Sequence, residues 1–326
     1  MSGSQHVLEI GGPNLSKLAF VFPGQGSQYV GMGNELFQSP SGRRTREIAR
    51  EILGSEFISL IEEGPEEELQ KTVNTQPAIL LVSVAAWQQL RDAGIEPDYV
   101  AGHSLGEYSA HVSAGSLDFA EALKVVRSRG ELMQGAVPNG EGGMAAILGL
   151  TTAQVEEACS LASERGVVAP ANYNCPGQVV ISGEKNAVAY AIEVAKNLGA
   201  KRAIPLNVSG PFHSLLMKKM GEELRQVLEG VAWQTPRCPV IANVDGREVV
   251  TPEQTVQALV EQVSGAVLWE QSVRHLLELG VDTFIECGPG KVLTGLVKKI
   301  APGTTLLRVE DKATLEKSLA YLKESR

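Results

Sequence analysis

Gly102-His103-Ser104-Leu105-Gly106 forms a G-x-S-x-G pattern, which holds a serine on a sharp turn between a strand and a helix. The flanks suit it. Tyr99-Val100-Ala101 is a short apolar run fit for the buried end of a strand, and Glu107 to Ser113 carries helix formers and no proline. Small residues flank Ser104 because so tight a turn leaves no room for side chains. A helix beginning there aims its unpaired N–H groups and positive dipole end at the serine oxygen. An ordinary glycine-rich turn can carry the same pattern, so the weight rests on what partners the rest of the chain supplies.

A serine hydroxyl attacks poorly unless a base takes its proton. The chain has five histidines, 6, 103, 111, 213 and 275. His6 lies in a polar leading segment, and His103 sits beside the serine rather than facing its oxygen. His111 suits packing on the next helix, and His275 is mid-helix beside Leu276 and Leu277. His213 differs, because Ser209-Gly210-Pro211-Phe212 delivers it from a strand end to a helix start. A helix N-terminus disfavours imidazolium and keeps the ring neutral, as a general base requires. A capping or packing histidine fits the same position equally well. An oxyanion hole needs backbone N–H donors aimed where negative charge develops. Leu105, following the serine, is the usual first donor. The turn Gly24-Gln25-Gly26 at the end of an early strand is placed to give a second, unless it is a tight turn and nothing more. Arg129 stands on a helix among Leu123, Val126 and Met133. A guanidinium there snorkels to solvent, pairs with a protein carboxylate, or grips the carboxylate of a substrate.

Strands alternating with helices must position these groups. Lys17 to Phe22 predicts a central strand, followed by helices over 41–55, 77–94 and 119–137. Residues 138–210 have their own rhythm: strand 144–150, helix 152–165, strands 167–172 and 178–182, helix 185–198, strand 202–208. That βαββαβ order is the ferredoxin-like pattern and predicts a small inserted subdomain. His213 then opens a long helical run. Strands at 239–244, 283–287 and 305–309 alternate with helices at 252–263, 269–279 and 291–300 and a final helix. Thr251-Pro252-Glu253-Gln254 is a helix-start signature. The expected fold is α/β: a core of residues 17–137 and 211–326 with a mostly parallel sheet covered on both faces, and 138–210 inserted. Residues 1–16 read as a flexible tail with no signal-peptide core.

The 326 residues are 43% hydrophobic and 21% charged, the profile of a globular protein. A net charge of −9 argues against nucleic-acid binding, which rests on basic surface. No apolar run reaches the roughly 18 residues of a membrane span; Pro77 to Trp87 is too short and reads as a core helix. Cys159, Cys175, Cys238 and Cys287 form no C-x-x-C pair, which speaks against a metal knuckle or a disulfide scaffold and favours a reducing compartment. Two nucleotide readings fail. Tyr29 stands where the dinucleotide fingerprint needs its third glycine, and Gly288-Pro289-Gly290-Lys291 lacks the upstream glycine of a P-loop, with Val292 in place of Ser or Thr.

Taken together the motifs resemble malonyl-CoA:acyl carrier protein transacylases, the acyltransferases of dissociated fatty acid synthesis. The matching stretches are FVFPGQGSQYVGMG (20–33), TQPA (75–78), AGHSLGEYSA (101–110), RGELMQ (129–134), NYNCPGQVVISG (172–183), GPFHS (210–214) and GPGKVLTGL (288–296). The resemblance implies Ser104 as the malonylated nucleophile, His213 as its base, Arg129 as the clamp on the free malonyl carboxylate, and the N–H groups of Gln25 and Leu105 as the oxyanion hole. It places Gln262 where a backbone carbonyl orients the histidine, and Asn174 as an active-site asparagine from the small subdomain. Phe212 resembles the form associated with malonyl rather than methylmalonyl selectivity. It also implies a hydrolase-like α/β core with a ferredoxin-like subdomain, a cytoplasmic monomer and ping-pong transfer from malonyl-CoA to acyl carrier protein. No cofactor or metal is expected. A serine esterase or thioesterase with water as acceptor, and a docking module that has lost catalysis, are the rival readings. An acidic carrier would need a basic patch on this acidic chain; Lys201 with Arg202, Lys218 with Lys219, and Lys298 with Lys299 are candidates, though such pairs are usually solvated helix faces.

Overall fold

The computed structural model describes residues 16–136, 140–208 and 210–325; nearly all of the predicted tail, and Ser209 before the candidate base, lie outside them. β1 (Lys17–Phe22) is the axis of the main sheet. Leu18, Phe20 and Phe22 pack into one hydrophobic cluster and Ala19 and Val21 into another. A strand apolar on both faces belongs inside a sheet covered on both sides.

After β1 come α1 (Pro40–Leu53), α2 (Ser55–Glu63), α3 (Glu66–Leu69), α4 (Thr72–Asp92), β2 (Tyr99–Gly102), α5 (Gly106–Ser113) and α6 (Phe119–Gly135). The second sheet is built by β3 (Gly142–Leu148), α7 (Thr152–Ala162), β4 (Val168–Cys175), β5 (Gln178–Glu184), α8 (Lys185–Asn197) and β6 (Arg202–Pro205). The chain then supplies α9 (Lys218–Glu229), β7 (Val240–Ile241), β8 (Glu248–Val249), α10 (Pro252–Gln262), α11 (Trp269–Glu278), β9 (Val281–Cys287), α12 (Val292–Ile300), β10 (Thr305–Val309) and α13 (Lys312–Ser325). The main sheet runs β10-β9-β1-β2-β7-β8 and is parallel except for β8. The second runs β4-β5-β3-β6 and is antiparallel, the strand order of a ferredoxin-like βαββαβ unit. The expected α/β architecture is therefore the one found. The second sheet is tied to the core where β4 bridges the link between α10 and α11: Tyr173 N–H donates to Val267 O at 2.9 Å and Val267 N–H donates to Ala171 O at 2.8 Å.

Four local readings change. The helix expected from Pro77 begins at Thr72 instead. Pro77 lacks an N–H and leaves the Val73 carbonyl without a helical donor; Arg127 Nη1 fills that role at 3.1 Å. The stretch between the first two predicted helices is itself helical, broken by glycines at 54 and 64. The strand expected over 239–244 shortens to β7, because Asn243 N–H turns away to the Glu107 carboxylate and Ala242 N–H to Arg247 O. His213 does not open an α-helix. A 3-10 turn at Leu215–Met217 intervenes and α9 starts at Lys218, so the helix-dipole argument for a neutral ring does not apply.

Candidate active site

The turn after β2 owes its shape to two glycines. A Cβ on Gly102 would lie 1.9 Å from the Gly106 carbonyl carbon, and one on Gly106 would lie 2.0 Å from Phe22 O, so β1, β2 and α5 meet backbone to backbone. Between them Ser104 takes φ +52°. Among the described non-glycine residues only Ser104 and His213, at φ +57°, have positive φ. That conformation costs an L-residue energy and persists only where the surroundings impose it. Here the surroundings are visible: Ser104 N–H donates to Asn243 Oδ1 at 2.7 Å, and Gln262 Nε2 donates to Ser104 O at 3.1 Å.

The two strained residues face each other. Ser104 Oγ lies 2.8 Å from His213 Nε2, and His213 Nδ1 lies 2.8 Å from Gln262 O. A carbonyl only accepts, so Nδ1 carries the hydrogen and Nε2 presents its lone pair to the serine hydroxyl. His213 is buried, and burial followed by the nearby positive charge of Arg129 pushes its pKa down to about 3. A neutral ring therefore comes from desolvation and a like charge, not from a helix terminus.

Arg129 is 1% exposed and enters from α6. Nη1 donates to Gln76 Oε1 at 2.7 Å; Nη2 donates to Gln262 Oε1 at 2.9 Å and to Ser104 Oγ at 3.1 Å. Its plane sits over the Tyr108 ring, 5.5 Å from the centroid. All of its hydrogen-bond acceptors among the described residues are neutral, and Nε has none. Of the three fates open to this side chain, snorkelling and an ion pair with the protein are both excluded among the described residues.

Gln25 and Leu105 line the same cavity, and among the described residues neither backbone N–H has a hydrogen-bond partner. The cavity, about 110 Å³, is walled by Gln76, Met133, Phe212 and the Ser104–His213–Arg129 group on the core side and by Met144, Asn172, Leu206 and Val208 on the other. Asn174 is not among its lining residues. Its Oδ1 accepts from His103 Nε2 at 2.8 Å, while Asn172, two residues earlier on β4, reaches the cavity. His103 lines the cavity as well, its pKa lowered by burial. His111 is buried against Ser116 Oγ at 2.8 Å, and His275 pairs with Glu248 at 2.7 Å on α11, so neither reaches the serine.

Sequence reasoning missed Gln76, Asn243 and Glu107. Gln76 and Glu107 lie within the TQPA and AGHSLGEYSA stretches, but nothing local marks a mid-helix amide or a first-turn carboxylate as part of a site. Asn243 sits just past a two-residue strand and carries no signal at all.

A buried base on a strained serine, beside a guanidinium that hydrogen-bonds no carboxylate among the described residues and two N–H donors without partners there, is an arrangement suited to acyl chemistry on an acidic acyl group. The chain belongs to the acyl transferase family, whose acyl transferase domain matches residues 19–306. Within that family its relatives are transacylases for malonyl. It is 49% identical to the malonyl CoA-acyl carrier protein transacylase of Bacillus subtilis, over 95% of this chain and 98% of that protein. A solved acyl carrier protein S-malonyltransferase from Vibrio cholerae superposes with a TM-score of 0.90 at 46% identity, covering 93% of this chain and 100% of that one. A malonyl-transacylase solved in complex with a type II polyketide synthase acyl carrier protein superposes with a TM-score of 0.92 at 45% identity, covering 94% and 100%.

Proposed function

We propose that this acyltransferase moves malonyl from malonyl-CoA to the phosphopantetheine thiol of an acyl carrier protein, through a malonyl-serine intermediate on Ser104, to supply fatty acid elongation. One observation carries the reading: a buried guanidinium with only neutral partners lies 3.1 Å from the candidate nucleophile. The Glu107 carboxylate acts on this charge without bonding to it, and a substrate carboxylate would be its directly paired counter-ion. The cavity supports this, since about 110 Å³ is far below the ~300–1,000 Å³ of ordinary ligand pockets and leaves room only for an acyl group of a few atoms. The transacylase names of the relatives and the solved carrier-protein complex point the same way.

In the first half-reaction Arg129 pairs with the malonyl carboxylate. His213 Nε2 takes the proton as Ser104 Oγ bonds to the thioester carbonyl carbon. The N–H groups of Gln25 and Leu105 hold the oxyanion, the C–S bond breaks, and the imidazolium returns its proton to the coenzyme A thiolate. The second half runs in reverse, with the carrier thiol losing its proton to His213 as its sulfur attacks the acyl-serine. The Gln262 carbonyl keeps the base oriented throughout, and Asn174 acts on the site through His103. We further assign 17–137 and 211–326 to the catalytic core and 138–210 to a subdomain that walls the cavity. The protein works as a monomer in the cytoplasm, or in an organelle stroma or matrix, with malonyl-CoA, coenzyme A and carrier protein as its only ligands and no cofactor. No helix among the described residues is long and apolar enough to cross a membrane.

Intact-mass measurement after mixing with malonyl-CoA tests this directly. One added malonyl group, absent in Ser104→Ala and discharged by holo carrier protein, is expected. Unmodified protein with free malonate accumulating would make the chain a hydrolase instead.

A further inference from the structure

Glu107 is a second buried charge in this network, and none of the steps above uses it. It stands on the first turn of α5 with no exposed surface. Oε2 accepts from Gln262 Nε2 at 2.8 Å and from Asn243 N–H at 3.0 Å, while Oε1 has no partner among the described residues. A well-packed apolar side chain would bury here at lower cost than a carboxyl, so its use must lie in what Oε2 holds.

Both of its clients hold Ser104. Asn243 sends Oδ1 to Ser104 N–H at 2.7 Å and Nδ2 to Gly102 O at 2.7 Å. Gln262 sends Nε2 to Ser104 O at 3.1 Å and offers Oε1 to Arg129 Nη2 at 2.9 Å, and its own carbonyl takes His213 Nδ1 at 2.8 Å. Nucleophile, base and guanidinium thus all rest on two residues that share one carboxylate oxygen, Gln262 reaching it through its side-chain amide and Asn243 through its backbone N–H. Direction is also at stake. An amide can be turned end for end in the same space, exchanging its oxygen and NH2. A flipped Gln262 would set its NH2 against the guanidinium and its oxygen against Glu107, so an acceptor at 107 excludes that orientation from one side as Arg129 does from the other.

We infer that Glu107 is a positioning residue for acyl transfer: through Gln262 and Asn243 its Oε2 holds the Ser104 backbone in the left-handed conformation and sets the angle of the Arg129 guanidinium to the hydroxyl. Burial pushes the carboxyl up to about 7. Protonation does not disable it, because a proton on the idle Oε1 leaves Oε2 an acceptor, and a glutamine can reproduce that neutral form.

The inference rests on the transferase reading, and the experiment separates the two. Wild type, Glu107→Met, Glu107→Asp and Glu107→Gln are compared for malonyl-serine formation by intact mass, for kcat/KM with malonyl-CoA and with acetyl-CoA, and for melting temperature. Glu107→Met keeps the bulk and removes the acceptor; the malonyl-to-acetyl ratio should fall roughly tenfold or more, the worth of one charged hydrogen bond. Glu107→Asp keeps the charge but withdraws the acceptor by one methylene, and its ratio should fall in the same direction; it carries the test should the Met variant not fold. Glu107→Gln should recover most of the ratio. A purely structural residue would lower both substrates together. An unchanged ratio in folded Met or Asp variants, or a Gln variant as impaired as Met, overturns the role of Glu107 while the wild-type adduct stands. A wild type that forms no adduct overturns the transferase reading and this inference with it.

Discussion

Replacing Arg129 by methionine puts the proposed carboxylate clamp at risk most directly. Methionine keeps the unbranched stem, so the change removes the guanidinium with its charge and three hydrogen bonds, of 2.7, 2.9 and 3.1 Å, while keeping part of the buried bulk. One of those bonds, to Ser104 Oγ, acts on any substrate, so its loss lowers malonyl and acetyl transfer alike. The pairing with a substrate carboxylate serves malonyl alone. A hydrogen bond to a charged group is worth about 1.5–3 kcal/mol, which at ~1.36 kcal/mol per decade is roughly 10- to 100-fold in kcat/KM. Malonyl-CoA should therefore lose at least about tenfold more than acetyl-CoA. The assay is kcat/KM for each thioester with holo carrier protein in excess, on protein shown to be folded by its melting transition. The variant has a second signature. The Arg129 charge is the second cause, after burial, of the low His213 pKa, so its removal should move the acidic limb of the rate profile to higher pH. Equal losses for the two substrates would refute the clamp.

The pH dependence of the wild type follows from the same environment. The base must be neutral, and with its pKa pushed to about 3 activity should hold as pH falls from 7 to 5; an acidic limb centred near 6.5 would refute the burial argument. Stability should behave differently. His213 and His111, both at about 3 in the folded chain, take protons near pH 6.5 once unfolded, so the unfolded state binds more protons on acidification. Each contributes a stability loss of about 1.4 kcal/mol per pH unit below ~6.5, partly offset by Glu107, whose raised pKa makes the fold lose stability as pH rises from about 4.5 to 7. Calorimetry of His111→Phe should show a shallower fall of melting temperature between pH 6.5 and 4 than wild type. Gly106→Ala, which would place a methyl 2.0 Å from Phe22 O, should cost ~4 kcal/mol or more and lower the melting temperature by several degrees; a neutral effect would mean that β1 and α5 do not meet as described.

Much of this protein was legible along the chain because it is decided locally. The turn at 102–106 is written in two glycines whose missing side chains allow backbone contact, and the βαββαβ rhythm of 142–205 follows from alternation and turn residues. Local signals misled where a distant group took over. Proline at 77 read as a helix start until Arg127, fifty residues on, satisfied the carbonyl it leaves bare. The strand at 239–244 was cut short by a carboxylate from α5. The run from His213 reads as helix from its first residue, yet His213 faces the cavity, a 3-10 turn follows at Leu215–Met217, and α9 starts only at Lys218.

By itself, then, the amino-acid order determined the alternation of strands and helices, the sharp serine turn and the types of group available for acyl chemistry, since each depends on neighbours within a turn or a strand. Only the tertiary structure decided that Ser104, Arg129, His213 and Gln262 converge, that the guanidinium has neutral partners, and that Glu107, Asn243 and Gln76 belong with them. The reason is physical: hydrogen bonds across 25 to 158 residues, and the burial that displaces a pKa, exist only after the two sheets have packed and water has left the space between them.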